Sequence, residues 1–280
     1  MCSIFKFFAD LAEKRESLKD TPIHKFSFDE NMILVKWTGK FPDMVLRRNA
    51  KGHDNPLLSG GEFIEMKNSE SGYTVPSFNS TIPSGEKKMA DAKEQKGLEQ
   101  KMKDAGDDVR SFSVRQVYYL LRSKHKDEDK VKVCLVHGSF FATVGEPELV
   151  YAAIRQIMED AISGVKLISP EAKQELLSAE IEKEVITAPR RVKNASVSLR
   201  FRVMTEAIRE TNIMRYQEMG DNTLNFIVPL HDGKDGEITA QESKIVKAAE
   251  TTDILGYPKG RQFRIEHPFN GQFWVLQIPI

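Results

Sequence analysis

Asp43, Glu65 and Lys67 are the residues of this 280-residue chain whose types and spacing point to joint chemistry. Asp43 follows Pro42, and the triplet Glu65-Met66-Lys67 comes 22 positions later. Side chains alternate along a strand, so Phe63, Glu65 and Lys67 share one face of the run Glu62 to Lys67, while Ile64 and Met66 take the other. Two carboxylates on adjacent strands can share a hard cation. Mg²⁺ binds one or two carboxylates, keeps several waters and leaves positions for phosphate oxygens; the Met66 carbonyl between the charged residues supplies a further ligand. An ammonium such as that of Lys67 can orient a water beside the ion and offset phosphate charge. The chemistry implied is metal-assisted hydrolysis of a phosphodiester, with Asp43, Glu65 and Lys67 catalytic and Asp43, Glu65 and Met66 as metal ligands.

Acid-x-Lys triplets are common in a chain this charged and recur at Glu86-Lys87-Lys88, Glu128-Asp129-Lys130, Glu171-Ala172-Lys173 and elsewhere. Those copies lie in polar, turn-like or helical surroundings, where a solvated charge is the simpler reading. Glu65 and Lys67 differ in sitting in an apolar strand. The competing reading of the three residues is a structural ion pair across two strands.

Three strands must position this set. Met32 to Trp37 and Asp43 to Arg48 read as neighbouring strands joined by a turn containing Gly39 and Pro42, and Gly60-Gly61 opens the third, Glu62 to Lys67. From Asn68 to about Gly85 the chain turns to Ser, Asn, Thr, Pro and Gly, a loop long enough to carry function. Glu86 to Asp108 is charged and short of apolar anchors, which predicts a solvated helix or an excursion. Val114, Val117, Tyr118 and Leu121 fall at helical spacing and predict a helix over 113–123, followed by a buried strand at Val131 to Val136.

Flanking this core, residues 3–19, 147–163, Ser169-Pro170 to about Val185, and 240–251 predict helices. In the second of these, Leu149, Ala152, Ala153, Ile157 and Ile162 form the expected packing face. Val197 to Val203 and Leu224 to Leu230 predict strands, and a closing hairpin turns about Asn270-Gly271. The fold class expected is α/β: a central mixed β-sheet flanked by helices, with additional helices and C-terminal strands. A single domain over 1–280 is expected, its catalytic core at about 30–140 and its embellishments from about 141 onward.

With Asp43 and Glu65 at the acidic positions and Lys67 at the lysine, the chain resembles the PD-(D/E)XK nuclease superfamily over roughly residues 30 to 140. The resemblance implies a restriction-endonuclease-like core, Mg²⁺ held by the acids, and a lysine assisting the attacking water. The loop after the motif looks like the recognition segments of type II restriction endonucleases, which act as homodimers on short palindromes in double-stranded DNA. In that reading Ser77, Asn79, Ser80 and Thr81 contact bases, and Arg190, Arg191, Lys193, Arg200 and Arg202 grip phosphates or pair with guanine. Some members add an acid from a preceding helix, for which Glu13 and Glu16 are candidates, with Asp54 and Glu62 nearby. The alternatives are a structure-specific repair or recombination nuclease of the same fold and a non-enzymatic DNA-binding or scaffold protein.

Composition narrows the partners. With 41 Lys+Arg against 41 Asp+Glu, the chain lacks the basic excess that coats nucleic acid or membranes non-specifically. Two cysteines, Cys2 and Cys134, offer no disulfide framework, no apolar run suffices for a membrane span, and a cytoplasmic location is expected. The six histidines show no metal-ligand spacing. Gly60-Gly61 lacks the Gly-Lys-Ser/Thr of a phosphate loop, so no nucleotide cofactor is expected.

Overall fold

The structure, a computed structural model, describes residues 33–35, 41–46, 62–70, 72–78, 83–88, 100, 114–142, 146–165, 168–178, 188, 190–191, 196, 198–199, 204–230 and 261–279. These gather into two compact units. The first takes residues up to Pro76, Pro83–Phe141 and Glu206 onward; the second takes Ser77–Ile82 and Ala142–Thr205.

The first unit is built on a mixed sheet. Its strands are β1 (Ile33–Val35), β2 (Met44–Leu46), β3 (Phe63–Ser69), β4 (Glu86–Lys88), β5 (Val114–Lys124), β6 (Val131–His137), β9 (Thr223–Pro229), β10 (Arg261–His267) and β11 (Gly271–Pro279). They lie in the order β1-β2-β3-β5-β6-β9-β11-β10, with β4 pairing β5 at its start. The pairs β3 with β5 and β6 with β9 are parallel, and the remaining neighbours are antiparallel. A central mixed sheet is thus the architecture, and the neighbouring strands about Asp43 and Glu65 are as expected.

The predicted helix over 113–123 is instead the central strand β5. Val117, Tyr118, Tyr119, Leu120 and Leu121 are all buried, because β5 is covered on both faces. A strand buried on both sides is continuously apolar and loses its period of two, so helical spacing arises within it by accident. The β-branched and aromatic content of Val-Tyr-Tyr favours the strand once neighbours exist to pair with it. Likewise Glu86–Lys88, read as part of a solvated helix or excursion, is β4, paired with β5 from Glu86↔Gln116 to Lys88↔Val114. The sheet core is closed by Phe63, Ile64, Phe140, Phe226, Ile227, Phe273, Val275 and Leu276. Each such burial contributes about 1.5–3 kcal/mol. Cys134 lies in this core, and burial pushes its thiol pKa up to about 12, which makes it inert.

The closing hairpin turns as expected, with β10 paired to β11 from Arg261↔Gln277 to His267↔Gly271. Gly271 has φ +77°, the left-handed conformation that a glycine adopts freely. The predicted helices at 3–19 and 240–251 lie outside the described residues.

The second unit contains α1 (Glu146–Ser163), α2 (Pro170–Ser178) and the two-stranded pair β7 (Arg190–Arg191) and β8 (Ser198–Leu199). Ser169 Oγ accepts from the Ala172 backbone N–H at 3.2 Å, and Pro170 fills the first helical position, so the sequence signal for this helix start is correct. The helix is described over Pro170–Ser178, and the rest of the expected span, to about Val185, lies outside the described residues. In α1 the expected packing face is not the buried one. Val150 is buried, whereas Leu149 is 37% and Ile157 67% exposed, so the covered stripe is rotated by one residue. No helix among the described residues is long and apolar enough to cross a membrane.

Candidate active site

Asp43 sits at the entry to β2, directly after Pro42 and a cis Phe41–Pro42 peptide. The antiparallel register Met44↔Ile64 and Val45↔Phe63, continued by one residue, sets Asp43 opposite Glu65. The Met66 N–H donates to Asp43 Oδ2 at 2.8 Å, which locks the carboxylate to the backbone of the neighbouring strand. Lys67 Nζ donates to Glu65 Oε1 at 2.8 Å. The three predicted catalytic side chains are therefore brought together, on one face, by the alternation of β3.

Burial distinguishes this set from a surface ion pair. Glu65 is 7% exposed, and its second oxygen, Oε2, is buried with no hydrogen-bond partner. A buried carboxylate oxygen left unpaired carries a desolvation cost unless something else binds it. Burial raises the Glu65 pKa; the hydrogen bond and charge of Lys67 oppose the rise, and the negative charge of Asp43 adds to it. Lys67 pairs directly with Glu65, and the Asp43 carboxylate lies beside them. Repulsion between close carboxylates is relieved by a divalent cation or by a proton.

The donor set fits a hard ion. Each carboxylate commits one oxygen to the protein, Asp43 Oδ2 to Met66 N–H and Glu65 Oε1 to Lys67, and Glu65 Oε2 remains for a ligand. All the donors are oxygens, in the small number that Mg²⁺ accepts alongside water and phosphate. No group of three or more His, Cys, Asp or Glu side chains suited to a metal occurs among the described residues, so this pair would rely on those additional oxygens.

Tyr119 completes the surroundings and was not apparent from the sequence. In the parallel register it lies beside Glu65, on the same face, with its hydroxyl buried. Burial first, then the charge of Glu65, raises the Tyr119 pKa, so the phenol stays protonated. Its ring packs edge-on against Phe141, centroids 5.6 Å apart. The signal existed: had residues 113–123 been read as a strand beside β3, alternation would have put Tyr119 next to an acid. Phe41 and Phe63 meet edge-on at 5.9 Å, and Lys87 Nζ lies 4.5 Å from the Phe41 ring centroid, bringing a second ammonium to this end of β3.

A hydrogen-bonded chain braces β4 and the segment before it. Gln116 Nε2 donates to Glu86 Oε1 at 2.7 Å, His137 Nε2 lies 2.6 Å from Gln116 Oε1, and His137 Nδ1 lies 2.7 Å from Ser139 Oγ. The Ser139 backbone N–H also donates to Nδ1, which makes Nδ1 the acceptor and puts the ring proton on Nε2, facing the Gln116 oxygen. Here the backbones cross closely. A Cβ on Gly138 would come 1.9 Å from the Ser84 carbonyl oxygen, so only glycine fits.

The remaining predicted residues fall elsewhere. Glu62 is buried on the opposite face of β3 with Ile64, near Tyr118, whose pKa is raised by burial first and then by the Glu62 charge, and it lies away from the Asp43–Glu65–Lys67 face. Ser77 lies in the second unit, as do Arg190 and Arg191 in β7. Asn79, Ser80, Thr81, Lys193, Arg200 and Arg202, together with Glu13, Glu16 and Asp54, lie outside the described residues.

Comparison with protein-family models, with curated proteins and with solved structures finds no match to this chain.

Proposed function

We propose that this protein is a Mg²⁺-dependent endodeoxyribonuclease of the type II restriction kind, hydrolysing phosphodiester bonds of double-stranded DNA. The observation that carries the reading is the pairing of Asp43 with Glu65 across β2 and β3, with Lys67 on the same face and Glu65 Oε2 buried and unpaired. A purely structural ion pair would satisfy both oxygens or expose them. A buried glutamate, a half-buried aspartate and an adjacent ammonium suit a centre that receives a cation and a phosphate together.

Asp43, Glu65 and the Met66 carbonyl would hold the ion. When bound, Mg²⁺ supplies charge neutralisation to the phosphate and lowers the pKa of water. Lys67 has the reach to orient the attacking water and to offset charge on the pentavalent phosphorus. Water attacks in line opposite the 3′ oxygen, the P–O3′ bond breaks, one water proton passes to solvent, and the departing 3′ oxygen takes a proton. The products are a 5′-phosphate and a 3′-hydroxyl. Tyr119 holds its phenolic proton at the back of Glu65, in a wall that limits water around the carboxylate. A homodimer is the matching assembly, because one centre per subunit cuts one strand and a two-fold axis mirrors a palindrome.

The test is incubation of the purified protein with a long sequenced duplex and Mg²⁺, beside Asp43→Ala and Lys67→Ala, with product ends mapped. Discrete fragments from the parent and none from Asp43→Ala are expected. Equal cleavage by Asp43→Ala would overturn the assignment of the site. Cleavage confined to forked or single-stranded DNA would replace the restriction reading with a structure-specific one.

A further inference from the structure

Strand register brings more charge to the Glu65 face than the catalytic trio. β4 pairs antiparallel with the start of β5, and its central residue, Lys87, stands directly opposite Arg115. Side chains of such a pair share a face, and alternation along β5 puts Arg115 on the face of Val117 and Tyr119. The parallel register sets Phe63 beside Val117 and Glu65 beside Tyr119. Lys87, Arg115, Glu65 and Lys67 therefore lie on one face of the sheet. The other face takes Glu86, which accepts from Gln116 in the chain that reaches His137.

An aromatic pair ties Lys87 to the strands that carry the acids. Its Nζ lies 4.5 Å from the Phe41 ring centroid, a cation–π distance, and Phe41 packs edge-on against the fully buried Phe63. Phe41 stands two residues before Asp43, and Phe63 two residues before Glu65. Residues two apart on a strand are separated by about 7 Å, comparable with the spacing of successive phosphates along a nucleic acid strand. Lys87 is partly exposed, while Arg115 behind it is 2% exposed. Like charges set directly opposite on neighbouring strands repel, and an anion drawn to them relieves that repulsion.

The charges of the centre leave a task for Lys87. With a divalent ion bound, its two charges and that of Lys67 cancel those of Asp43, Glu65 and one phosphodiester. The next phosphate along the strand then needs a cation of its own.

We propose that Lys87, positioned by the Phe41 ring, grips the phosphate adjacent to the scissile one, so that the centre takes a strand with at least two consecutive phosphodiesters. The identity of the scissile phosphate rests on the nuclease function proposed above. Arg115 adds its charge from behind, and Phe41 acts through Lys87 without touching the substrate.

The deciding experiment uses the full chain and a labelled mixed-sequence duplex of about 30 base pairs, with Ca²⁺ in place of Mg²⁺, over a series of salt concentrations. Lys87→Gln is expected to bind about tenfold more weakly at 0.1 M salt, with a log K against log salt slope shallower by about one. Lys87→Arg should restore the slope. Phe41→Leu should weaken binding by about threefold and leave the slope unchanged, because the ammonium is still present but less firmly held. In Mg²⁺, KM of Lys87→Gln should rise about tenfold with kcat unchanged within about twofold. If Lys87→Gln does not fold, Lys87→Met takes its place, since it keeps the stem against Phe41 and removes only the charge. An unchanged slope and KM in the folded variant overturn the inference and leave the nuclease reading intact, provided the parent cleaves. A loss that Lys87→Arg does not restore also overturns it, as a structural role would behave in that way. A parent that never cleaves, yet loses one unit of slope in Lys87→Gln, overturns the nuclease reading and sustains Lys87 as a phosphate-binding group.

Discussion

Strand β3 carries two buried glutamates, Glu62 just before its first residue and Glu65 within it, and each lies near a tyrosine of β5. Glu62 and Tyr118 share one face of the sheet; Glu65 and Tyr119 share the other. The residue types are the same and both acids are buried, at 1% and 7% exposure. Glu65 faces a second carboxylate and an ammonium, Asp43 and Lys67. The difference teaches that register decides which glutamate meets Asp43: a shift of one residue between β2 and β3 would move Asp43 away from Glu65 and bring it beside an apolar neighbour.

The largest effect that would sharpen this comparison is expected from Asp43→Ala, which should lower the cleavage rate by about 10³-fold through loss of several kcal/mol of charge stabilisation. Lys67→Ala should cost about 10²-fold. Single-turnover cleavage in Mg²⁺ measures both. Tyr119→Phe removes only the hydroxyl behind Glu65, and a fall of about tenfold in rate with unchanged duplex binding is expected. Tyr118→Phe, on the opposite face, should leave the rate unaltered, and equal losses in the two variants would break the distinction between faces.

The pH response separates the glutamates further. Burial raises the Glu65 pKa above its ordinary value of 4.5, so the metal-free folded state binds this proton more tightly than the unfolded chain does. Stability from this group is therefore present at low pH and is lost as pH rises from 4.5 through the raised value. The melting temperature of Glu65→Gln relative to the parent should climb across that window, as thermal denaturation without metal would show. Mg²⁺ must displace the proton, so its stabilisation of the parent should weaken on acidification at a higher pH than for an ordinary carboxylate. The smallest effect on activity is expected from Glu62→Gln: cleavage unchanged within about twofold, and stability lower by about 1–3 kcal/mol. A lost Mg²⁺ response in that variant would put Glu62 in the centre after all.

The site was more legible in the sequence than the fold around it. Asp43, Glu65 and Lys67 are brought together as alternation and strand adjacency required, because side chains two apart on an extended strand share a face and β2 pairs with β3. β5 was illegible because burial on both faces erases the period of two, and Tyr119 was missed with it. β4 is three charged residues, Glu86-Lys87-Lys88, whose strand character comes from pairing with β5 and from no propensity of its own. The rotated face of α1 was hidden because apolar residues occur on more than one side of that helix, and the body it packs into, not the helix, selects the covered stripe. Short-range signals fared best: Ser169-Pro170 opening α2, and Gly271 turning the last hairpin.

The parallel pairing of β6 with β9 has a consequence for how the molecule comes into being. About 85 residues, including the whole long segment of the second unit, intervene between the two strands. As the nascent chain leaves the ribosome, β2, β3, β5 and β6 can assemble early, with β6 as a temporary open edge that no later strand yet covers. Closing so long a loop is entropically expensive and slow, so that edge is the point at which two growing copies would most readily pair wrongly. A helical body that folds quickly within the intervening segment shortens the effective span, and its rapid local contacts guard the slow step that completes the sheet.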